Sequence, residues 1–432
     1  MEPMSIFILI VSAFAVLLFI GTPIFAALGV SSIVGIILHS GLDGLQVIPP
    51  TLQRGMGTYT LIAIPLFILM GEVIARTSIG GRLYHLFYLI TSRLPGGLAV
   101  ASIGSSAVFG AMSGVSVAGA ATIGRFAIPE MLKRGYDPGL SGGSIAAAGA
   151  LALLIPPSIG FVLYGEIADQ SIGKLFIAAI VPALLIVVMM VMYVIVLSHM
   201  RPELAPRHPA RVSVGALLLA LRDVWAGIVL IFLVIGTIYL GIATPTESAG
   251  IGAAGAFVIA LGYGELNLKK IMTILRSTAV TSGMILLILA AALLFGYIMT
   301  RLMIPQKLVA MVAQSDQPGW VVLVFMLLFL IAIGMFLDIV SLILITTPIL
   351  LPVVVTLGYD PIWYGVVMII ACEMAVITPP VGLNLYVIKG IAPQISLRQI
   401  TRGALPFVFL EIIAIVILTI FPDIVLWLPK FR

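Results

Sequence analysis

The chain is poor in charge: Asp, Glu, Lys and Arg make up 9% of its 432 residues, whereas 62% are hydrophobic. A soluble domain carries about 25% charged residues, so this sequence cannot cover a water-exposed surface. Its apolar runs repeatedly reach the roughly 20 residues that cross a bilayer as a helix, and they do not alternate as the strands of a β-barrel do. The composition predicts an all-α polytopic membrane protein.

The sequence also lacks the residues of several function classes. Its single cysteine, Cys372, cannot form an internal disulfide, and its four histidines are dispersed without metal-ligand spacing. No GxxxxGK[ST] phosphate loop and no catalytic cluster occur, which argues against ATP hydrolysis by that route and against a membrane enzyme. The basic residues are scattered over short loops, which is typical of membrane proteins and does not favour nucleic-acid binding. No cofactor and no cleavable signal peptide are expected.

What the sequence does contain is a repeat with an offset near 222 residues. The sequence GYDP at 135–138 recurs at 358–361, and the double proline of LIPPSIG at 154–160 recurs in ITPPVG at 377–382. Upstream, the Thr-Pro pair at 22–23 recurs at 244–245. The repeat therefore covers nearly the whole chain.

We predict two inverted repeats, 1–200 and 223–432, joined by a cytoplasmic linker at 201–222. Each repeat contains about five transmembrane helices and one re-entrant hairpin, and this odd number of crossings inverts the second half. Scaffold, arm, hairpin, broken helix and final helix are predicted in the first repeat at 5–75, 78–93, 98–130, 139–167 and 174–199. The same elements are predicted in the second at 224–300, 303–315, 320–356, 361–388 and 404–428.

The loop charges support the inversion. Lys133 flanks the first GYDP copy, whereas the second copy has no basic residue nearby. Conversely, Asp169 follows the first broken helix, whereas Lys389 lies at the equivalent place in the second. Equivalent loops thus carry opposite charge, as inverted repeats should under the positive-inside rule. This places the linker inside and both termini outside.

Each double proline interrupts a helix, because proline lacks the backbone donor and clashes with the preceding turn. Unwound backbone at membrane depth is tolerated where it is buried in protein or lines a hydrated cavity. Its carbonyls suit sodium, and the N-terminus of the following half-helix suits a carboxylate. A simple proline kink is the alternative, and the matching positions of the two copies disfavour it.

Each predicted hairpin brings its tip to the same depth as the break of its repeat. Close packing of small residues, as at Gly110 and Gly114, is the alternative explanation for the first. We predict two sodium sites, one at each tip and break. The first comprises Ser106, Ser113, Gly114, Ser116, Pro156 and Ser158; the second comprises Gly334, Asp338, Ser341, Thr378, Pro379 and Gly382.

The predicted substrate-binding residues are Ser116, Val117, Asp338, Ser341, Asn384 and Arg125. Asp338 could equally cap the helix that follows it. Arg125 lies about 13 Å beyond the first tip along a helix, where snorkelling to the interface is favoured over pairing with a substrate carboxylate. Glu247 is expected to cap a helix. Glu373 lies deep in an apolar segment, so it is either functional or buried against a polar neighbour.

Several stretches resemble one family: IPEM at 128–131, GAL at 149–151, TPTE at 244–247 and PPVGLNL at 379–385. They are similar to the large membrane subunit of tripartite ATP-independent periplasmic (TRAP) transporters, and the similarity spans the chain. The resemblance implies an elevator mechanism, sodium coupling and an inner-membrane location. It also implies two partners, a small four-helix membrane subunit and a periplasmic binding protein that delivers an organic acid.

The resemblance leaves the acid open. Members of the C4-dicarboxylate type carry a Glu-Pro-Ser-Ser-like sequence where this chain has residues 337–341, and His-Pro-Pro where it has 378–380. These departures point away from a dicarboxylate and leave sialic acid and 2-oxo acids as candidates. A self-sufficient sodium/carboxylate symporter of the same superfamily, a channel and a membrane enzyme are the alternative functions.

Overall fold

The computed structural model describes residues 2–207 and 212–431, and within them the chain is helical with no β-strand. The helices of the first half are α1 (Pro3–Phe19), α2 (Ile24–Ser40), α3 (Ile48–Met56), α4 (Ala63–Ala75), α5 (Ile79–Thr91), α6 (Gly97–Ser113), α7 (Ser116–Lys133), α8 (Pro138–Ala150), α9 (Ile159–Ala168) and α10 (Ile172–Met200). Those of the second half are α11 (Val214–Tyr239), α12 (Pro245–Gly262), α13 (Leu268–Arg301), α14 (Ile304–Gln314), α15 (Gly319–Gly334), α16 (Ile339–Thr356), α17 (Pro361–Val376), α18 (Leu383–Ile391), α19 (Leu397–Ile420) and the short α20 (Asp423–Leu426).

The two GYDP copies are equivalent helix starts. Asp137 accepts a hydrogen bond from the Leu140 backbone N–H at 2.8 Å, which caps α8. Asp360 accepts from the backbone N–H groups of Ile362 and Trp363 at 2.7 and 3.1 Å, which caps α17. The proline that follows each aspartate stands at a first-turn position where no donor is needed. The repeated sequence therefore starts the first segment of each broken helix.

The predicted hairpins and breaks have counterparts in the structure. The stretch 98–130 contains α6 and α7, which pack against each other and are separated by Gly114 and Val115. The stretch 320–356 contains α15 and α16, which also pack together. Each double proline lies in a non-helical segment, between the 3-10 helix Leu151–Leu153 and α9 in one half and between α17 and α18 in the other.

The scaffold at 5–75 differs from the prediction, because it contains an additional helix, α3. Pro49 stands in the first turn of α3, where a missing N–H group is tolerated, so this proline begins a helix instead of ending one. The segment Leu42–Met56 meets Tyr59–Ala75 at a bend of 64°. In the second half, the element that corresponds to this bent pair is one long helix, α13. Helix α3 packs against α13.

Two predicted boundaries are wrong. The last long helix spans Leu397–Ile420 and not 404–428, because Ser396 and Gln399 form a capping box that starts it earlier. Helix α11 begins at Val214, inside the predicted linker 201–222, where Ser213 accepts a hydrogen bond from the Ala216 N–H at 3.1 Å. Residues 208–211 of that linker lie outside the described residues.

Five helices of the described chain are long and apolar enough to cross a membrane: α10, α11, α13, α16 and α19. The bent pair that contains α3 and α4 gives a sixth span if it is counted as one. Several shorter apolar helices, including α6, α8, α15 and α17, interrupt this pattern. Length and composition together indicate a multi-pass membrane protein with shortened helices in both halves.

The two halves interlock at the broken helices. Helix α8 packs along α19, and a Cβ placed on Gly143 would lie 2.1 Å from the carbonyl carbon of Gly403. Helix α9 packs against α17, where the Tyr164 hydroxyl donates to the Pro361 carbonyl at 2.6 Å. Lipid tails are as apolar as the helix surfaces, so burying apolar side chains between two helices stabilises their contact little. Close backbone approach through small residues holds the helices together instead.

Candidate functional site

The tip of the first hairpin lies against the first break. Gly114 separates α6 from α7 with a φ of 61°, a left-handed conformation that favours glycine. A Cβ at this position would lie 2.7 Å from the carbonyl oxygen of Pro157, so a larger residue would push the tip away from the break. On the other side of the tip, Gly71 of α4 leaves the same kind of space: a Cβ there would lie 2.5 Å from the Ser113 carbonyl oxygen.

The second tip is organised by a carboxylate. Asp338 caps α16, accepting from the Ser341 N–H at 3.2 Å and from the Ser341 hydroxyl. The capping role considered for Asp338 is therefore present, while its role as a cation ligand stays a prediction. In the second break, Gly382 has a φ of 53° and leads into α18.

An asparagine joins the two halves at this depth. The Asn384 side-chain amide donates to the Ser116 hydroxyl at 2.8 Å and to the Ala146 carbonyl at 3.0 Å. Its oxygen lies 3.1 Å from the same hydroxyl, and both side chains are buried. Helix α18 of the second half is thereby fixed to α7 and α8 of the first.

A cavity of about 230 Å³ lies where these parts meet. Its lining comes from the start of α7, α9, α16 and α18, from residues beside each break and from the middle of α13. The N-terminal ends of four helices therefore face one space. Free N–H groups and the helix dipole make such ends favourable for an anion. Of the four, only α16 has a side-chain cap; the ends of α7, α9 and α18 have none.

Within the part of the chain that the structure describes, three hydroxyl groups on α6 and at the first break have no hydrogen-bond partner. They belong to Ser106 and Ser113 on α6 and to Ser158, which precedes α9, and all three residues are fully buried. Ser106 and Ser113 are two helical turns apart and so lie on one face of α6. Gly110 lies between them and packs on Ala152, where an added Cβ would be 2.8 Å from the Cα atom. A buried hydroxyl without a partner is costly, so this face is suited to a bound ligand.

The second break differs from the first. The Thr378 hydroxyl donates to the Met374 carbonyl at 2.6 Å, and that of Ser341 donates to Asp338. Pro379 is exposed, whereas Pro156 at the equivalent place in the first break is buried. The hydroxyl groups of the second predicted sodium set are thus already hydrogen-bonded in this conformation.

The structure brings some of the predicted site residues into the cavity and leaves others outside it. Gly114, Ser116, Val117, Asp338 and Asn384 line the cavity. Ser106, Ser113, Pro156, Ser158, Gly334, Ser341, Thr378, Pro379 and Gly382 belong to the surrounding tips and breaks and are not part of its lining.

Arg125 is placed elsewhere. Its exposed side chain lines a separate cavity of about 580 Å³ together with Arg76, Lys269 and Lys270. The structure therefore does not bring this guanidinium to the space where the tips meet, because α7 carries it away from the tip by more than two turns. We leave Arg125 out of the substrate site.

The sequence prediction missed the contribution of α13. Thr281, Met284 and Ile285 of this helix line the central cavity, although it was assigned to the scaffold. Gly283 lies in this part of α13, but the helix continues through it, so no break marks the place. The available signal is its run of hydroxyl residues, Thr278, Thr281 and Ser282, within an otherwise apolar helix.

Two other carboxylates singled out in the sequence have structural partners. Glu247 completes a capping box with Thr244, accepting from the Thr244 N–H at 2.7 Å, so the expected capping role is confirmed. This hydrogen bond lowers the pKa of the exposed Glu247 carboxyl. Glu373 accepts from the Leu154 N–H at 3.2 Å at the back of the first break.

Larger clefts lie nearer the surface. One of about 650 Å³ is lined by Glu166, Asp169 and residues 244–246, and contains no part of either tip. We assign the site to the smaller central cavity because both hairpins and both breaks contribute to it.

The chain matches known proteins over nearly its whole length. Residues 11–424 match the family described as "Tripartite ATP-independent periplasmic transporter, DctM component". The C4-dicarboxylate TRAP transporter large permease protein DctM of Pseudomonas aeruginosa is 35% identical over 408 residues, 94% of each chain. The sialic acid TRAP transporter large permease protein SiaM of Vibrio cholerae is 30% identical over 417 residues, 96% of each chain.

One solved structure has a similar fold. The YdaH transporter of Alcanivorax borkumensis, whose crystal structure is described as having an unusual topology, superposes with a TM-score of 0.59. The alignment covers 89% of each chain at 18% sequence identity. At that identity the likeness concerns the fold alone.

Proposed function

Because the chain belongs to the DctM component family of tripartite ATP-independent periplasmic transporters, we propose that it imports an organic acid by sodium coupling and an elevator movement. The family resemblance noted in the sequence is confirmed. The chain is the large membrane subunit of a transporter and not an enzyme, as the names of its relatives indicate. The coupling to sodium, the elevator movement and the organic acid as substrate are proposals.

The observation that carries the proposal is the convergence of four helix N-termini on the central cavity. Three of these ends have no side-chain cap, so their N–H groups are available to a ligand. A carboxylate offers four lone-pair sites and matches such donors. The rest of the lining is largely apolar, which suits the carbon skeleton of a small acid.

Sodium coupling is supported by the first tip and break. The unpaired hydroxyl groups of Ser113 and Ser158, together with the Pro157 carbonyl beside the tip, would offer neutral oxygen ligands. The unpaired Ser106 hydroxyl lies about 10 Å further along α6 and would not bind the same ion. Oxygen ligands suit hard cations. At the second tip, the Asp338 carboxylate lines the cavity and would repel an incoming acid. Sodium bound beside each tip would offset that charge, so sodium binds first and substrate follows.

The elevator proposal rests on which elements share the site. Both hairpins and both broken helices contribute to the cavity, so they would move together as a transport domain. Helices α1, α2, α11 and α12 would form the fixed scaffold, and α5 and α14 would connect the two as arms. The two inverted repeats proposed from the sequence would let the same elements serve both faces of the membrane.

The substrate class remains a carboxylic acid. The relative named for C4-dicarboxylates is 35% identical and the one named for sialic acid is 30% identical. The sequence-based preference against dicarboxylates therefore finds no support, and dicarboxylates stay among the candidates beside sialic acid and 2-oxo acids.

We propose two partners and a bacterial inner-membrane location, following the family. A small four-helix subunit would pack against the scaffold. A periplasmic binding protein would dock on the outer face, where Asp169, Glu247 and Asp360 are placed by the proposed topology.

The test is uptake into proteoliposomes that hold this chain and its small partner. With an inward sodium gradient and the binding protein present, we expect uptake of one radiolabelled acid among succinate, sialic acid and pyruvate. Uptake that persists when choline replaces sodium would contradict sodium coupling. Strong uptake without the binding protein would instead identify a self-sufficient symporter.

A matched pair of variants tests the site itself. Asn384→Asp puts a second carboxylate into the cavity lining and should abolish uptake of a carboxylate substrate. Asn267→Asp makes the same chemical change at the cap of α13, outside this cavity, where aspartate caps equally well. Equal uptake by both variants would mean that the acid binds elsewhere.

A further inference from the structure

Two glutamates lie behind the first break, outside the central cavity. Glu373 of α17 and Glu411 of α19 are both 0% exposed. Helices α8 and α19 run in the same direction, since Gly139 lies against Gln399 and Gly143 against Gly403. Glu411, about 12 Å further along α19, is therefore level with the 3-10 helix that ends α8. Glu373 reaches the same place from the other side, through the Leu154 N–H.

The oxygen atoms of this pair are largely unsatisfied. One oxygen of Glu373 accepts the Leu154 N–H, whereas its other oxygen and both oxygens of Glu411 have no hydrogen-bond partner within the described chain. Helices α17 and α19 pack against each other, so the two buried carboxyl groups lie on neighbouring helices. A lone buried carboxyl pair of this kind lacks donors on three of its four oxygens.

The surrounding helices supply no compensating charge. Helices α8, α15 and α16 carry no titratable side chain apart from the capping carboxylates Asp137 of α8 and Asp338 of α16, which add no positive charge. The other neighbouring helices do carry titratable side chains: Tyr164 and Glu166 in α9, Lys174, Tyr193 and His199 in α10, Tyr386 and Lys389 in α18, and Asp423 in α20. Helices α17 and α19 themselves carry Tyr364, Cys372, Arg398 and Arg402 besides the two glutamates. Among the described residues, none of these forms a hydrogen bond or ion pair with either glutamate.

Two ionised carboxylates cannot share an apolar site without a cation, because burial and like charge both penalise the second charge. A proton resolves both problems. It removes one charge, and it turns one carboxyl oxygen into an O–H donor.

We propose that Glu373 and Glu411 form a buried acid pair that binds at least one proton at neutral pH. The ligand is the proton, held at a place separate from the hydroxyl sites proposed for sodium. Through Glu373 the pair is hydrogen-bonded to Leu154, so it stabilises the start of the unwound segment from the side opposite the cavity. The assignment requires neither sodium coupling nor a particular substrate.

The test is infrared spectroscopy of the purified full-length chain in lipid nanodiscs. At pH 7 the wild type should show the C=O stretch of a protonated carboxylic acid, shifted in D₂O. The double variant Glu373→Gln/Glu411→Gln should lack that band, since it has no carboxyl group at this place, and each single variant should shift the band because the remaining acid has an amide beside it. The control is Glu203→Gln, which changes an exposed glutamate and should leave the band unchanged.

Absence of the band in the wild type at pH 7 would overturn the proposal. This measurement uses the wild-type protein alone, so it does not depend on the folding of any variant. A band that is unchanged in the double variant would overturn it as well. Loss of the band when sodium chloride replaces choline chloride would mean that a metal cation, and not a proton, occupies the pair.

Discussion

At the residue scale, the unpaired hydroxyl of Ser158 allows a test in which stability and affinity change in opposite directions. Ser158→Ala removes a buried polar atom that has no partner, so without sodium the variant should be as stable as the wild type or more stable, by up to about 2 kcal/mol. If the hydroxyl is a sodium ligand, the same change should weaken sodium binding roughly fivefold, about 1 kcal/mol.

Ser105→Ala is the control for this measurement. Ser105 is equally buried on α6, but its hydroxyl donates to the Ser102 carbonyl at 3.2 Å. Sodium titrations monitored by thermal unfolding should therefore show an unchanged sodium affinity in Ser105→Ala. If both variants lose sodium affinity equally, the first tip is not the place where sodium binds.

The sequence predicted which single residues line the site better than it predicted which residues they contact. Asp338 and Asn384 were predicted because a polar residue is conspicuous beside a break in an apolar segment, and both line the cavity. The bond from Asn384 to Ser116 was not predictable, since it joins residues 268 positions apart and depends on how the two halves pack. For Arg125 the distance along the helix favoured the interface over substrate pairing, and its exposed side chain lies outside the central cavity.

At the scale of the helices, the contact between α8 and α19 should tolerate no added side chain. Gly143→Ala would place a methyl group 2.1 Å from the backbone of Gly403, so the helices would have to separate, and we expect a loss of about 1–3 kcal/mol in stability. Gly390→Ala, on α18, adds the same methyl group where no atom lies within 4 Å. That control should be neutral or slightly stabilising, because alanine favours helix.

Thermal unfolding in detergent or nanodiscs compares the two variants directly. A Gly143→Ala protein as stable as Gly390→Ala would show that the two halves are not held together by this backbone contact.

The helices themselves were predictable where one local rule decided the outcome. Double prolines within apolar segments indicated both breaks, and the flexible residues around Gly114 indicated the first tip. The prediction failed where a proline or polar residue begins a helix, as at Pro49 in α3 and Ser396 in α19. The capping bonds that distinguish a start from a stop depend on backbone geometry, which composition and periodicity do not contain.

At the scale of the whole molecule, the proposed inversion predicts which loops share a face. In a Cys372→Ala background, cysteines at positions 133 and 389 should react from the cytoplasmic side, and cysteines at 169 and 360 from the outer side. The background removes a buried thiol and so eliminates the native label site. Labelling of positions 133 and 360 from the same face would contradict the inverted repeats.

The contact between Gly71 and the Ser113 carbonyl has a kinetic consequence. Helix α4 lies within the scaffold predicted at 5–75, and the hairpin tip is proposed to move, so this contact would exist at only one end of the movement. Gly71→Ala would disfavour that end and shift the population away from it. Gly250→Ala, whose methyl group would lie 3.9 Å from Leu66, should have no such effect. Single-molecule fluorescence should then record shorter dwell times in this conformation for Gly71→Ala alone; unchanged dwell times would mean that α4 and the tip move together. Gly71, the residue of α4 without a side chain, would in this way set how long the carrier stays in this conformation.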